Sequence, residues 1–229
     1  MQNINHAKNI IELRDVSYSY NGVEDAVKNV SFAIHEGDYL GIIGPNGGGK
    51  TTLLKLILGL LHPDSGTIRL SIPAIGYLAQ NATHFDSGFP ITVSEVVAQG
   101  RIAQRGLFHP FTDGDTQAIN TAIREVGLED FRNTLIGNLS GGQQQRVFIA
   151  RAISGQQPHV IFLDEPTAGI DEDSQKQFYS LLKKFNQELG MTLVLIAHDL
   201  DVVMREVSHV AVINQRLIYY GDPKECPYV

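Results

Sequence analysis

A glycine-rich segment that ends in lysine and threonine contains the first residues whose types and spacing suggest chemistry. It fits the pattern G-x-x-x-x-G-K-[ST] between an apolar run predicted as a strand and one predicted as a helix, the context that this phosphate-binding motif needs. The candidate nucleotide-binding residues here are Gly44, Pro45, Asn46, Gly47, Gly48, Gly49, Lys50, Thr51 and Thr52. Glycines leave backbone N–H groups free to surround a phosphate, and the helix N-terminus adds partial positive charge. We expect Lys50 to neutralise the β- and γ-phosphates of a nucleoside triphosphate and the Thr51 hydroxyl to bind its Mg²⁺.

Two adjacent carboxylates, Asp164 and Glu165, follow the apolar run Val160–Leu163. Such a run is typical of a strand buried on both faces of a parallel sheet, and open α/β sheets bind ligands at the carboxyl ends of these strands. Asp164 could hold Mg²⁺, directly or through water, and Glu165 could polarise the attacking water. A solvated acidic turn before Pro166 is the alternative, and the phosphate loop elsewhere in the chain favours the catalytic role.

A second candidate anion site lies at the start of a predicted helix that continues to Ile153. Its residues are Ser140, Gly141, Gly142 and Gln143. Ser140 suits the N-cap position, and the two glycines allow a ligand to approach the exposed N–H groups. A capped helix start without a ligand is the alternative, and it is the commoner use of this pattern.

Length, charge and cysteine content restrict the class of protein. A chain of 229 residues can form one large domain or a domain with an inserted lobe. Its 18 basic and 25 acidic residues give a net charge of −7, which argues against a nucleic-acid binder and against a polybasic membrane-surface protein. No apolar run approaches the roughly 18–20 residues that span a bilayer, and the polar N-terminus lacks the apolar core of a signal peptide. The single cysteine, Cys226, fits a reducing cytosol, so we expect a cytosolic chain whose membrane role requires a partner.

Hydrophobic patterns predict an α/β fold. The first third contains predicted strands at Ile10–Tyr20, Val27–Ile34 and Tyr39–Ile43, a predicted helix at Leu53–Leu61, and predicted strands near Thr67–Leu70 and Ala74–Ala79. Helical patterns then predominate, at Val93–Gln99, Asp115–Val126 and Gly142–Ile153. They predict that residues 84–155 form a helical lobe inserted into a single domain of residues 1–229.

The last third predicts a parallel crossover and a hairpin. An amphipathic helix ending before Gly190 joins the apolar run Val160–Leu163 to the apolar run Thr192–Ala197. Strand, helix and strand in this order indicate two parallel strands of one sheet. The runs Val210–Asn214 and Arg216–Tyr220 indicate a terminal hairpin.

From about Ile10 to Asp222 the sequence resembles the ATP-binding subunits of ABC transporters. Leu139–Gln143 matches the signature motif of that family, and few other phosphate-loop proteins carry it. The resemblance implies a phosphate-loop NTPase core with a mostly parallel sheet, an N-terminal antiparallel β subdomain and an inserted α-helical subdomain. It also implies that ATP and Mg²⁺ are the cofactors.

The resemblance assigns roles to four further residues. Tyr20 is similar to the aromatic that stacks on adenine, although it could be an edge-strand aromatic. Gln80 is similar to the glutamine that senses Mg²⁺ and the membrane partner, or is an exposed strand-end residue. Asp171 belongs to a loop that crosses the dimer interface, and could also cap a helix. His198 is similar to the histidine that contacts the γ-phosphate, or is a capping histidine.

The mechanism implied by the resemblance uses two copies of the chain. They pack head to tail, so that Ser140, Gly141, Gly142, Gln143 and Asp171 of one chain contact the nucleotide held by Lys50 of the other. Two ATP molecules close the pair, and hydrolysis at Glu165, with Lys50 and His198, opens it again. The resemblance places the pair on the cytoplasmic face of the membrane, bound to polytopic permease subunits and indirectly to an extracytoplasmic solute-binding protein.

Short segments narrow the resemblance to importers of zinc, manganese or iron. They are the run Gly44–Thr52, the run Phe89–Val93 and the pair Gly100-Arg101. Two alternatives stay open: an ABC importer of another cargo such as a metal chelate, and a soluble ABC ATPase without a transport role. A nucleotide sensor that does not hydrolyse is disfavoured because Glu165 and His198 are both present.

Overall fold

Two β-sheets and the helices around them form the part of the protein that the computed structural model describes, residues 8–79, 89–105, 109–155, 160–197 and 200–228. The strands are β1 (Asn9–Ser19), β2 (Asp25–His35), β3 (Tyr39–Ile43), β4 (Ser65–Leu70), β5 (Ile75–Leu78), β6 (Val160–Asp164), β7 (Thr192–Ile196), β8 (His209–Asn214) and β9 (Arg216–Gly221). The helices are α1 (Lys50–Ile57), α2 (Val93–Arg105), α3 (Asp113–Glu125), α4 (Gly141–Ser154), α5 (Glu172–Leu189) and α6 (Leu200–Glu206). Among the described helices, none is long and apolar enough to cross a membrane.

The larger sheet has the order β5-β6-β7-β3-β8-β9, and every pairing in it is parallel except the last. Strands β6 and β7 are direct parallel neighbours joined through α5, as the sequence predicts. Strands β8 and β9 form the predicted antiparallel hairpin. The α/β class and the mostly parallel sheet are therefore confirmed.

The apolar strands of this sheet separate two hydrophobic cores. In β6, Ile161 and Leu163 belong to the core that contains α2–α6, while Val160 and Phe162 belong to the core that contains α1 and the smaller sheet. Strand β7 alternates in the same way. Because side chains along a strand point to opposite faces in turn, burial of both faces requires the continuous apolar runs that the sequence shows.

The smaller sheet is antiparallel and has the order β2-β1-β4. It packs with α1 against one face of the larger sheet, in the core that also contains Leu53 and Leu54. This sheet is the antiparallel β subdomain that the resemblance implies. Its position matters for the site, because the chain between β1 and β2 reaches the phosphate loop.

Helices α2, α3 and α4 lie between β5 and β6 in the chain and pack against one another. Arg101 of α2 donates from Nε to the buried Asp115 carboxylate of α3 at 2.9 Å, and from an η nitrogen to the carbonyl of Ser154 in α4 at 3.0 Å. One guanidinium thus joins all three helices. The boundaries 84 and 155 stay a prediction, and residue 84 lies outside the described residues.

Three helices differ markedly from the prediction. Helix α2 continues to Arg105, six residues beyond the predicted end at Gln99. Helix α1 begins at Lys50 and ends at Ile57, whereas the apolar pattern predicts Leu53–Leu61. Its first turn closes when Leu53 N donates to Gly49 O at 2.8 Å, and it ends where Gly59 adopts a left-handed φ of 70°. Leu60 and Leu61 extend the apolar pattern beyond that stop, which is why the predicted end is wrong. Helix α6, only seven residues long, is absent from the prediction.

Candidate active site

The phosphate loop lies between the central strand β3 and the N-terminus of α1. Gly44 and Gly49 have φ values of 148° and 93°, in the region that favours glycine. A Cβ at Gly44 would meet the carbonyl oxygen of Ile213, and a Cβ at Gly49 would meet that of Ala26. Both glycines are therefore required by conformation and by close backbone approach, as the motif predicts.

Lys50 is buried, with 6% of its surface exposed, and its ammonium group is folded onto the loop. Nζ donates to the carbonyl oxygens of Gly44 at 2.9 Å and of Pro45 at 3.0 Å. Burial lowers the pKa of Lys50, while the carboxylates of Glu165 and Asp164 oppose that shift. Lys50 and Glu165 line the same cavity, and Asp164 directly precedes Glu165, so the cation and the acidic pair lie close together.

The acidic pair lies at the carboxyl end of β6. Asp164 is the last residue of the strand and is 4% exposed. Glu165 has a φ of 47°, a left-handed conformation that costs a non-glycine residue about 1–3 kcal/mol. Its N–H donates to the carbonyl of Ile196 in β7 at 2.8 Å, which helps to hold this conformation. The strained backbone turns Glu165 out of the strand into the cavity beside the phosphate loop.

Tyr77 is a site residue that the sequence analysis misses. It lies on β5, the neighbour of β6, and its side chain is half-buried. Burial raises the pKa of Tyr77, and the charge of Asp164 and a hydrogen bond to it raise that pKa further. The phenol thus helps to hold the carboxylate of Asp164. Only the pairing of β5 with β6 brings the two together, so no local pattern could have found Tyr77.

A cavity of about 610 Å³ joins these groups. The phosphate loop, Thr51, Thr52 and Glu165 line one part, and the turn between β1 and β2, including Tyr20 and Glu24, lines the other. Its size is that of a small-molecule site. Gln215, in the turn between β8 and β9, also lines it and is missed by the sequence analysis.

Tyr20 lies at the mouth of this cavity with 60% of its surface exposed. Its ring packs edge-on against Tyr18, with ring centroids 5.1 Å apart, and its hydroxyl lies 3.2 Å from Thr52 Oγ1. The ring is therefore supported on one side and open to solvent elsewhere. This arrangement suits stacking on a base, and the predicted role of Tyr20 stays a prediction.

The signature residues form a separate, smaller cavity of about 170 Å³ at the start of α4. Ser140 caps the helix: its Oγ accepts from Gln143 N at 3.3 Å, and its own N–H donates to Gln143 Oε1 at 2.9 Å. Arg146 also lines the cavity, and its buried Nε has no hydrogen-bond partner among the described residues. Gly141 has open space where a side chain would be, so a ligand can approach the N–H groups there. The capped helix start is thus present, and binding of an anion at this surface stays a prediction.

Asp171 caps helix α5. Its Oδ1 accepts from Ser174 N at 2.9 Å, and backbone hydrogen bonds lower its pKa. The helix-capping alternative for this residue is therefore confirmed. Its contact with a second chain stays a prediction. Gln80 and His198, the two remaining candidates, lie outside the described residues.

The donor set fits Mg²⁺. Thr51 is exposed and lines the cavity with Glu165, and Asp164 directly precedes Glu165. A hydroxyl and a carboxylate are the hard oxygen ligands that Mg²⁺ takes alongside phosphate oxygens and water. The described residues contain no group of three or more His, Cys, Asp or Glu side chains that could hold a metal by themselves. A metal shared with a nucleotide agrees with that finding.

A parallel sheet, a phosphate loop after its central strand and an acidic pair at the end of a neighbouring strand define a phosphate-loop nucleoside triphosphatase. The chain belongs to the ABC transporter family, because the sequence model of that family matches residues 27–168. Its ATPase activity and its fold are those of that family. ATP-binding cassettes of this kind work as dimers with membrane permease components.

Three similar proteins show what the chain is related to. It is 45% identical over 225 residues to a zinc uptake system ATP-binding protein of Listeria innocua, covering 94% of this chain and 87% of the relative. It is 37% identical to a manganese transport system ATP-binding protein of Halalkalibacterium halodurans, covering 93% and 86%. A solved putative metal-chelate type ABC transporter, in an inward-facing conformation, is similar with a TM-score of 0.85 and 29% identity, covering 95% and 84%. The predicted family and fold are confirmed.

Proposed function

We propose that this chain powers the import of a divalent metal and that two copies form two shared ATP sites. The shared site is supported by one observation: the phosphate loop and the signature residues line two separate cavities of one chain. Lys50 and Glu165 line one cavity, whereas Ser140 and Gln143 line another. A second copy, packed head to tail, would bring the signature surface of one chain to the phosphate loop of the other.

Within each site the chain's own residues divide the work. Tyr20 supports the base, the phosphate loop and Lys50 hold the β- and γ-phosphates, and Glu165 accepts a proton from the attacking water. Thr51, Asp164 and Gln80 would hold Mg²⁺, which neutralises charge on the phosphates when it is bound. His198 contacts the γ-phosphate. The positions of Lys50, Thr51 and Glu165 around one cavity, with Asp164 directly before Glu165 at the end of β6, support this assignment.

The partner chain completes the site through Ser140, Gly141, Gly142, Gln143 and Asp171. The N–H groups at the start of α4 offer a partial positive charge suited to a γ-phosphate. The half-buried Arg146 side chain adds positive charge to the same cavity. ATP that touches both surfaces binds the closed pair better than the open one, and this difference in affinity drives closure.

The cargo and the membrane partners follow from the relatives. Zinc and manganese are the cargoes that the names of two similar proteins give, and a divalent metal is their shared chemistry. We place the pair on the cytoplasmic face of the cell membrane, docked to polytopic permease subunits that receive metal from an extracytoplasmic solute-binding protein. The solved metal-chelate transporter supports a chelated metal as the alternative cargo. The uptake and transport functions in the names of the relatives disfavour a soluble ABC ATPase without a transport role.

Two experiments test the proposal. Purification of the tagged chain from its own cells in mild detergent should bring down a polytopic membrane protein. Reconstituted with that protein in vesicles, the wild-type chain should drive ATP-dependent metal accumulation, and Glu165→Gln should not. Metal analysis then compares Zn²⁺, Mn²⁺ and a ferric chelate at equal concentration. Uptake of the chelate alone would select the alternative cargo, and normal metal content in cells that lack the chain would exclude metal import.

A further inference from the structure

The turn between β8 and β9 contacts the phosphate loop at the edge of the nucleotide cavity, which Gln215 also lines. Gln215 is the single residue between the paired Asn214 and Arg216. Its N–H donates to the carbonyl of Gly48 at 2.7 Å, and its own carbonyl accepts from the N–H of Lys28 in β2 at 2.6 Å. One backbone residue thus links the phosphate loop to the antiparallel sheet.

The same turn packs closely against the loop. A Cβ at Gly48 would lie 3.0 Å from the carbonyl oxygen of Ile213, and Gly44 approaches the same oxygen still more closely. On the other side, Gly49 approaches the carbonyl of Ala26 at the start of β2. Backbone from β8 and backbone from β2 therefore enclose the loop, and the turn cannot move without moving the loop.

The hydrogen bond to Gly48 has a direct consequence for the phosphate site. In a trans peptide the C=O and the following N–H point in opposite directions. When the Gly48 carbonyl is directed at Gln215, the N–H of Gly49 is directed away from Gln215. Gly49 lines the nucleotide cavity, and backbone N–H groups of such loops bind phosphates, so the orientation of the Gly48–Gly49 peptide bears on phosphate binding.

We infer that Gln215 is a positioning residue for nucleotide binding, acting through its backbone on the Gly48–Gly49 peptide. The left-handed φ of 58° at Gln215 aims its N–H at the loop, and the Lys28 hydrogen bond fixes the turn. The inference rests on the proposed phosphate site. Gln215 lies outside the phosphate-loop motif, and its hydrogen bond to Gly48 sets the orientation of the N–H of Gly49.

The first test compares Gln215→Pro with Gln215→Gly. Proline removes the N–H and cannot adopt a positive φ, whereas glycine keeps the N–H and suits that φ. Both variants lose the carboxamide, so the difference between them reports the backbone bond. We expect the Kd for MgATP, measured by calorimetry, to be about tenfold higher in the proline variant than in the glycine variant.

A second pair of variants removes the hydrogen bond from Lys28 N to Gln215 O and leaves Gln215 itself unchanged. Lys28 lies on β2, the edge strand of the smaller sheet, where proline is tolerated. Lys28→Pro and Lys28→Ala both lose the ion pair with Asp25, but only proline loses the N–H that binds Gln215. The proline variant should again bind MgATP more weakly than its partner. If Gln215→Pro does not fold, the comparison of Lys28→Pro with Lys28→Ala tests the role of Gln215.

The kinetic readout separates positioning from a structural role. A positioning role predicts a higher KM for ATP with kcat at saturating ATP close to that of the matched variant. A structural role predicts a lower melting temperature and a lower kcat, with Kd unchanged in the folded fraction. Equal Kd values within both pairs would overturn the inference about Gln215. Failure of the wild-type chain to bind MgATP would instead overturn the proposed site.

Discussion

At the residue scale, Lys50 carries the clearest prediction, because its ammonium group is the cation of the phosphate loop. Lys50→Ala should raise the Kd for MgATP about a hundredfold or more, since hydrogen bonds to a charged group are lost where the phosphates bind. Calorimetry measures the affinity, and circular dichroism checks the fold. Lys55, exposed on the same helix, provides the matched control Lys55→Ala, which should bind normally. An unchanged affinity in Lys50→Ala would show that the loop does not hold the phosphates.

Glu165 is the candidate base, and its φ of 47° directs it into the cavity. Glu165→Gln keeps the size and loses the proton acceptor, so hydrolysis should fall by about 10²–10⁴. ATP should then persist in a closed dimer, which gel filtration with MgATP would detect. Glu172→Gln, a change of an exposed carboxylate on α5, is the control. Hydrolysis at the wild-type rate in Glu165→Gln would assign the base to another residue.

Substitutions of Tyr20 test how the protein holds the base of the nucleotide. Tyr20→Ala should weaken nucleotide binding by roughly 1–3 kcal/mol, the range measured for aromatic stacking on nucleic-acid bases. ATP and GTP should lose similar amounts, because a ring face discriminates little between bases. Tyr20→Phe keeps the ring and removes the hydroxyl near Thr52, so it separates stacking from that contact. A loss confined to ATP would indicate hydrogen-bonded recognition of adenine instead.

At the element scale, the sequence predicts best where burial imposes a pattern. The apolar runs of β6 and β7 could be assigned because both of their faces are covered. Helix α6 could not, because its seven residues give too little periodicity. Within the site, the phosphate loop, Asp164 and Glu165 follow from local motifs. Tyr77 and Gln215 do not, because strand pairing and a turn between distant segments bring them to the site.

The three helices of the inserted lobe depend on the Arg101–Asp115 pair. Asp115 is 2% exposed and also belongs to the capping box of α3 with Thr112, and Arg101→Ala removes the guanidinium from which this buried carboxylate accepts. Removing one partner of a buried pair costs about 3–5 kcal/mol, which urea unfolding should show. The exposed Glu172–Lys176 pair supplies the control, since Lys176→Ala should leave the free energy of unfolding almost unchanged. Equal losses in the two variants would mean that the Arg101 pair does not hold the helices together.

At the scale of the whole molecule, one chain offers a nucleotide-holding cavity and a separate signature cavity. The sequence predicts both surfaces, since each follows from a local motif. Sequence alone could not show that they line separate cavities, because that depends on how the helical lobe sits against the sheet. The separation makes mixing experiments informative, since two inactive chains can each retain the surface that the other lacks.

The shared site predicts that two inactive variants restore each other. Ser140→Arg keeps Lys50 and should bind ATP, but the arginine at the start of α4 blocks the γ-phosphate of the partner. Lys50→Ala cannot hold ATP, yet it offers an intact Ser140 surface. A mixed dimer therefore contains one intact site and one site with both defects, and part of the hydrolysis should return on mixing. The activity should rise and then fall as the ratio of the two variants is varied at constant total protein, with a maximum near equal amounts. Full hydrolysis by Ser140→Arg alone, independent of protein concentration, would show that each chain builds its site by itself.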